Sequence, residues 1–191
     1  MFNEAVQFLL KSIVDLFVLA ALVRFFLQFF HAPSRNPLAE FVVALTDFGI
    51  RPLRRIIPGW HGLDLASLVF ALVLEVLLVL LLLGLQGVPV LTAGPHIVPV
   101  AILLAIINLL KYAIYLLIVS VFVQAILSWV NPYSPVSSVL DSLTGPFMRP
   151  LRKLVPTVGR VDLSPLVLFL ICQIILMLPI SWLEQVSRKM I

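Results

Sequence analysis

Two sets of residues in this chain have types and spacings that could do chemistry. The first is basic. The phrase "RPLRRIIP" begins at Arg51, and "RPLRKLVP" begins at Arg149. Arg51, Arg54 and Arg55 fall at i, i+3 and i+4, so one helical turn presents all three on one side. Arg149, Arg152 and Lys153 repeat the arrangement, while Leu53, Ile56 and Ile57 point the other way. A basic face over an apolar face at a membrane boundary suits anionic lipid headgroups, at about 1 kcal/mol per basic residue. Pro52 and Pro150 each remove a backbone donor inside the phrase, and Pro58 and Pro156 are placed to end any helix. Topology alone accounts for basic residues beside a membrane. It does not account for the repeated spacing and the flanking prolines.

The second set is polar and lies inside apolar runs: Arg24, Glu75, Gln124 and Gln173, with Asp15 and Asn108. Such residues are costly in a bilayer unless paired. Counted from the ends of their runs, Arg24 and Glu75 lie at similar depths, roughly 10–15 Å. This predicts an ion pair. Gln124 and Gln173 stand at the matching positions of the second half, which predicts an amide pair there. Such contacts act as glue between helices, worth about 0.6–2 kcal/mol; the other reading is a polar path for ions. Asp64 and Asp162 recur just before apolar runs, where an acid favours a helix N-terminus. Ser164 followed by Pro165 reads as a helix start. Both acids are also in range of the loop arginines, a pairing that would fold each loop back on itself.

Motifs for catalysis do not occur. There is no glycine-rich phosphate loop, HExxH or GxSxG. His31, His61 and His96 have no second ligand at metal spacing. The single cysteine, Cys172, excludes an intrachain disulfide and any CxxC or haem-attachment motif. Set in an apolar run, it reads as a packing residue. The expectation is a protein that is not an enzyme and has no cofactor.

The elements that must position these residues are written in the composition. Of 191 residues, 62% are hydrophobic and only 12% charged, with a mean hydropathy of +1.16. That calls for a bilayer as solvent. Apolar runs long enough to span lie near 10–31, 65–86, 99–130 and 164–184, the third so long that it must tilt or protrude. The net charge is +4 and the pI about 9.6; in a membrane protein this points to basic loops, not to direct binding of nucleic acid. Glu4 precedes Lys11 and no basic n-region is present, so no cleaved signal peptide is expected.

The chain also repeats itself. "RPLRRIIPGWHGLDLASL" overlies "RPLRKLVPTVGRVDLSPL", and "AVQFLLKSIV" matches "AIINLLKYAI" upstream. The predicted fold is an all-α membrane protein with four transmembrane helices arranged as two parallel span–basic loop–span repeats. Residues 3–86 and 103–184 form the repeats, 87–102 the linker and 185–191 a short basic tail. Two spans per repeat insert both halves in one orientation, and the positive-inside rule puts the loops in the cytoplasm and the termini outside. Each loop opens with an N-cap and proline, Asn36–Pro37 and Ser134–Pro135. A short amphipathic helix follows, with Leu38, Phe41, Val42 and Leu45 on one stripe and Val136, Val139, Leu140 and Leu143 on the other.

The run "FVQAILSWVNPYSPVSSVLDSLTGPFMRPLRKLVPTVGRVDLSPLVLFLI" resembles the YGGT repeat, and the first half resembles it less closely. The first half has "LTDFGIRPLRRIIPGWHGLDLAS", with one proline fewer and no "DLSP". The resemblance, to two-repeat bacterial YggT membrane proteins, covers nearly the whole chain and implies a multi-pass protein of the bacterial inner membrane. Single-repeat relatives such as YlmG and its plastid counterparts are associated with cell division or nucleoid organisation, photosynthetic membrane biogenesis and haem attachment to cytochrome b6. Bacterial members are linked to osmotic-stress tolerance and potassium uptake. The resemblance therefore implies a role in membrane biogenesis or ion homeostasis. Two function classes follow: a scaffold or assembly factor whose repeated basic loops engage anionic lipid and a membrane-protein partner, or an ion channel or transporter subunit, working as a homo-oligomer because four spans are few for a pore.

Overall fold

A computed structural model describes residues 2–33, 36–57, 59, 62–88, 90, 96–131, 134–155 and 162–189. Every element named here is a helix: α1 (Phe2–Phe29), α2 (Pro37–Ile56), α3 (Leu65–Leu85), α4 (Ile97–Val130), α5 (Pro135–Leu154), α6 (Ser164–Ile175), a π-helical turn (Leu176–Ile180) and α7 (Ser181–Arg188). Four stretches are long and apolar enough to cross a bilayer: Asn3–Phe29, Leu65–Leu85, Ile97–Ser128 and Ser164–Ser187. At 1.5 Å per residue α4 is about 50 Å long, well beyond a hydrocarbon core of about 30 Å.

Three of the long helices, α1, α3 and α4, pack through small residues. Ala20 and Ala21 of α1, Ala66 and Ala71 of α3, and Ala101 and Ala105 of α4 are all buried, which lets the backbones approach where lipid supplies no hydrophobic driving force. Large side chains such as Leu77, Val119 and Ile174 stay exposed on the outside. One core joins Val18 and Leu22 of α1, Ile50 of α2, Phe70 of α3 and Leu109 of α4. A second joins Val121 of α4, Met148 of α5, and Leu168 and Cys172 of α6. A third brings Leu27, Ala39 and Val139 together, so α2 and α5 meet beside the end of α1.

Both loop helices start as their sequences dictate. The Asn36 side chain accepts from the Ala39 amide at 2.8 Å, and the Ser134 hydroxyl accepts from the Val136 amide at 3.3 Å. Each helix then runs without a break through its basic phrase, with Pro52 inside α2, and Pro146 and Pro150 inside α5. Pro52 and Phe48, whose carbonyl loses its donor, both lie on the outer side of α2, where polar surroundings can satisfy that oxygen. The buried line also differs from the expected stripe. It runs Ala39, Val42, Thr46 and Ile50 in α2, and Val139, Leu140, Thr144 and Met148 in α5, while Phe41 is exposed. A buried threonine replaces an apolar residue in each line, for reasons that belong to the site. Pro58 and Pro156 lie outside the described residues.

Pro179 causes the π turn. It cannot donate to the carbonyl four residues back, and its ring crowds that oxygen. Widening the turn relieves the clash without ending the helix.

Candidate functional site

The polar residues concentrate where α1, α2 and the head of α3 meet. Arg24, five residues from the end of α1, is 6% exposed. Its Nη1 donates to Thr46 Oγ1 at 3.0 Å, and its Nη2 to Asp47 Oδ1 at 3.3 Å. Its Nε lies 3.7 Å from Asp64 Oδ2. Thr46 is held by donating its own hydroxyl to the Val42 carbonyl at 2.8 Å. Asp64 is 3% exposed. It receives Arg54 Nε on Oδ1 at 3.2 Å and Arg54 Nη2 on Oδ2 at 2.5 Å. It also caps α3, accepting from the Ser67 amide at 3.4 Å and the Ser67 hydroxyl at 2.5 Å. One carboxylate thus fastens the C-terminal turn of α2 and the side of α1 to the start of α3.

Electrostatics follow from that geometry. Burial pushes the Asp64 carboxyl up, but the hydrogen bonds from Arg54 and Ser67 outweigh it and hold it below the usual carboxylate range. The same bond, donated by Arg54 to Asp64, raises Arg54. A cleft of about 630 Å³ opens beside the network, lined among others by Arg24, Gln28, His31, Asp47 and Arg54. His31 takes a left-handed φ of 52° where α1 ends; its amide bonds the Gln28 carbonyl at 3.2 Å.

The second loop carries a thinner version. Gln124 stands where the first half has Arg24; its Nε2 donates to Asp141, and its Oε1 accepts from the Thr144 hydroxyl at 2.6 Å. Arg152 Nε donates to Asp162 Oδ2 at 2.9 Å, and Asp162 accepts from the Ser164 amide at 2.9 Å. Burial pushes the Asp162 carboxyl up, but the bonds from Ser164 and Arg152 together outweigh it and lower it. Asp162 is 34% exposed in its side chain against 3% for Asp64. Among the described residues, no hydrogen bond or ion pair joins the Gln124 group to the Arg152 group.

The predicted pairs inside the membrane are not the observed ones. Arg24 meets Thr46, Asp47 and Asp64, not Glu75, and Gln124 meets Asp141 and Thr144, not Gln173. Helix α1 ends at Phe29, so Arg24 is only about 7 Å from its end, whereas Glu75 is about 15 Å into α3. A long guanidinium also reaches toward the polar boundary. Glu75 instead accepts from Asn108 Nδ2 at 2.8 Å. Gln173 is exposed on the outside of the bundle. Deeper polar links that the sequence reading missed are Tyr112 Oη to Asp15 Oδ1 at 2.8 Å and Lys111 Nζ to Glu184 Oε2 at 3.0 Å.

Of the six basic residues, Arg54 and Arg152 are taken up by the aspartates, while Arg51, Arg55, Arg149 and Lys153 are exposed on the last turns of α2 and α5. Pro52 and Pro150 are exposed beside them, and Ser164 and Pro165 open α6. Thr46, Asp47, Asp141 and Thr144 were missed. The repeated "LT" of "ALTDF" and "SLTGP" was their one signal, a threonine where the stripe calls for an aliphatic residue.

No solved structure matches the chain significantly. It is similar to an uncharacterized protein of Pseudomonas aeruginosa, 41% identical over 94% of this chain and 90% of that one. It is also similar to an uncharacterized protein of Vibrio alginolyticus, 38% identical over 87% and 89%. The uncharacterized protein YggT of Escherichia coli is 36% identical over 90% and 87%. The CCB3/YggT family model matches residues 3–86 and 103–183, and with that coverage the chain belongs to the CCB3/YggT family.

Proposed function

We propose that the protein is a non-enzymatic scaffold or assembly factor of the bacterial inner membrane, with two basic helix ends laid on the anionic cytoplasmic leaflet as a docking platform for a membrane-protein partner. One observation carries this reading. Arg54–Asp64 and Arg152–Asp162 tie the C-terminal turn of each loop helix to the next long helix; Arg55 and Lys153 remain exposed on those turns, and Arg51 and Arg149 one turn earlier. Residues fixed in place and, among the described residues, uncommitted to internal partners are suited to external anions. Two such cations per loop give about 2 kcal/mol on an anionic surface, weakened by salt. The meeting of α2 and α5 around Leu27, Ala39 and Val139 sets the two basic ends on one body.

The test changes Arg51, Arg55, Arg149 and Lys153 together to glutamine. Expression and melting should stay as in the parent, while co-purification of acidic phospholipid and of crosslinked partner falls severalfold. Unchanged lipid and partner recovery, with potassium flux from reconstituted vesicles lost on changing Arg24 or Gln124, would replace the scaffold by a pore.

A further inference from the structure

We propose that Glu75 is a proton-binding site in the membrane interior, held as the neutral acid between the two family-matched segments. Glu75 lies midway along α3 and is 1% exposed. Its Oε1 accepts from Asn108 Nδ2 at 2.8 Å, and its Oε2 is buried without a hydrogen-bond partner among the described residues. An ionised carboxylate so placed would carry its charge in a medium of low dielectric with one amide as compensation. That costs far more than a neutral carboxyl in the same place.

The other ways of neutralising it fit less well. The charged groups around it are Lys11 and Asp15 of α1 and Lys111 of α4, with the Tyr112 hydroxyl of α4 nearby. Lys111 is already bonded to Glu184 of α7, Asp15 adds charge of the same sign as a carboxylate, and Lys11 is exposed. A small cation would need a shell of oxygen ligands. Asn108 presents an N–H instead, and no cluster of three acidic, histidine or cysteine side chains suited to a metal occurs among the described residues. A proton is the charge that this geometry accommodates.

The position gives the site its consequence. Glu75 belongs to residues 3–86 and Asn108 to residues 103–183. Among the described residues the side-chain hydrogen bonds that join these two segments are Asn108 to Glu75 and Tyr112 to Asp15. Removing the proton would place an uncompensated charge at that junction. The inference stands apart from the lipid-surface reading, which uses none of these residues.

Infrared spectra of the full-length protein in nanodiscs at pH 7 to 8 test it. We expect a carbonyl stretch of a protonated carboxyl that shifts in deuterated buffer and is absent from Glu75→Gln. Glu75→Gln should melt at the wild-type temperature, and Glu75→Ala several degrees lower. A wild-type spectrum with carboxylate bands alone overturns the proposal, whether or not any variant folds. So does a protonated band that persists in Glu75→Gln, or a Glu75→Gln that loses as much stability as Glu75→Ala.

Discussion

Asp64 does three jobs with two oxygens: it caps α3, receives Arg54 and faces Arg24. Asp64→Ala should therefore cost about 3 kcal/mol, since it takes one of two acids from the buried Arg24, releases Arg54 and removes a cap. The same change at the more open Asp162 should cost about 1 kcal/mol. Thermal melts of the two variants in nanodiscs check the difference. The pH dependence has a fixed sign. Both aspartates sit lower in the folded than in the unfolded chain. Their contribution is present above the unfolded carboxylate range of about 4 and is lost as pH falls through the folded values. Acid should lower the melting temperature of the wild type, and Asp64→Asn should flatten much of that slope. Arg24→Gln should be milder than Asp64→Ala, because Arg54 still meets Asp64 and a glutamine can bond Thr46 as Gln124 bonds Thr144. The polar residues were legible in the sequence as a set, but their partners were not. Depth counted along a helix locates a Cα, whereas the reach of Arg24 and the buried face of α2 decide what its guanidinium meets.

Among the elements, α2 seats on α3 through Gly49. A Cβ there would overlap the Phe70 ring, and that ring is pinned edge-on by Phe48 at 5.9 Å. Gly49→Ala should lower stability by about 1–3 kcal/mol and speed proteolysis of the α2 region. The π turn offers a second check. Pro179→Ala restores a backbone donor, and a return to α geometry would rotate α7 by about 100°. That rotation would carry Glu184 away from Lys111, now 3.0 Å apart. A double-mutant cycle on Lys111 and Glu184 should show coupling in the wild type and little in the Pro179→Ala background. Element existence was the legible level here: four long apolar runs, two capped loop helices and their basic ends all read directly from pattern. The joining of each amphipathic helix to its basic turn was less plain, because Pro52 and Pro150 lie at the junction. A proline on an exposed face of an otherwise packed helix forfeits one bond and keeps the rest. The π turn was equally hidden, since Pro179 alone does not say whether a helix kinks, stops or widens.

For the whole molecule, the proposed orientation has both loops in the cytoplasm. Single cysteines at Ser34, Ser138 and Thr92, in a Cys172→Ala background, should give impermeant maleimide labelling of intact cells at Thr92 alone, with Ser34 and Ser138 labelled after permeabilisation. Cys172 packs against Val121, Met148 and Leu168, so its truncation is a modest cavity and leaves the background usable. The placement of the two polar groups along the chain has a consequence for how the protein is made. Among the described residues, every partner of Arg24 and Asp64 lies at or before Ser67, so this loop-side knot can form in the nascent chain before α4 has been synthesised. Asp15 and Glu75 must wait for Tyr112 and Asn108. The first hairpin therefore enters the bilayer with its guanidinium already matched and two acids still without their final partners. Synthesis order itself makes α4 the element that the first hairpin is waiting for.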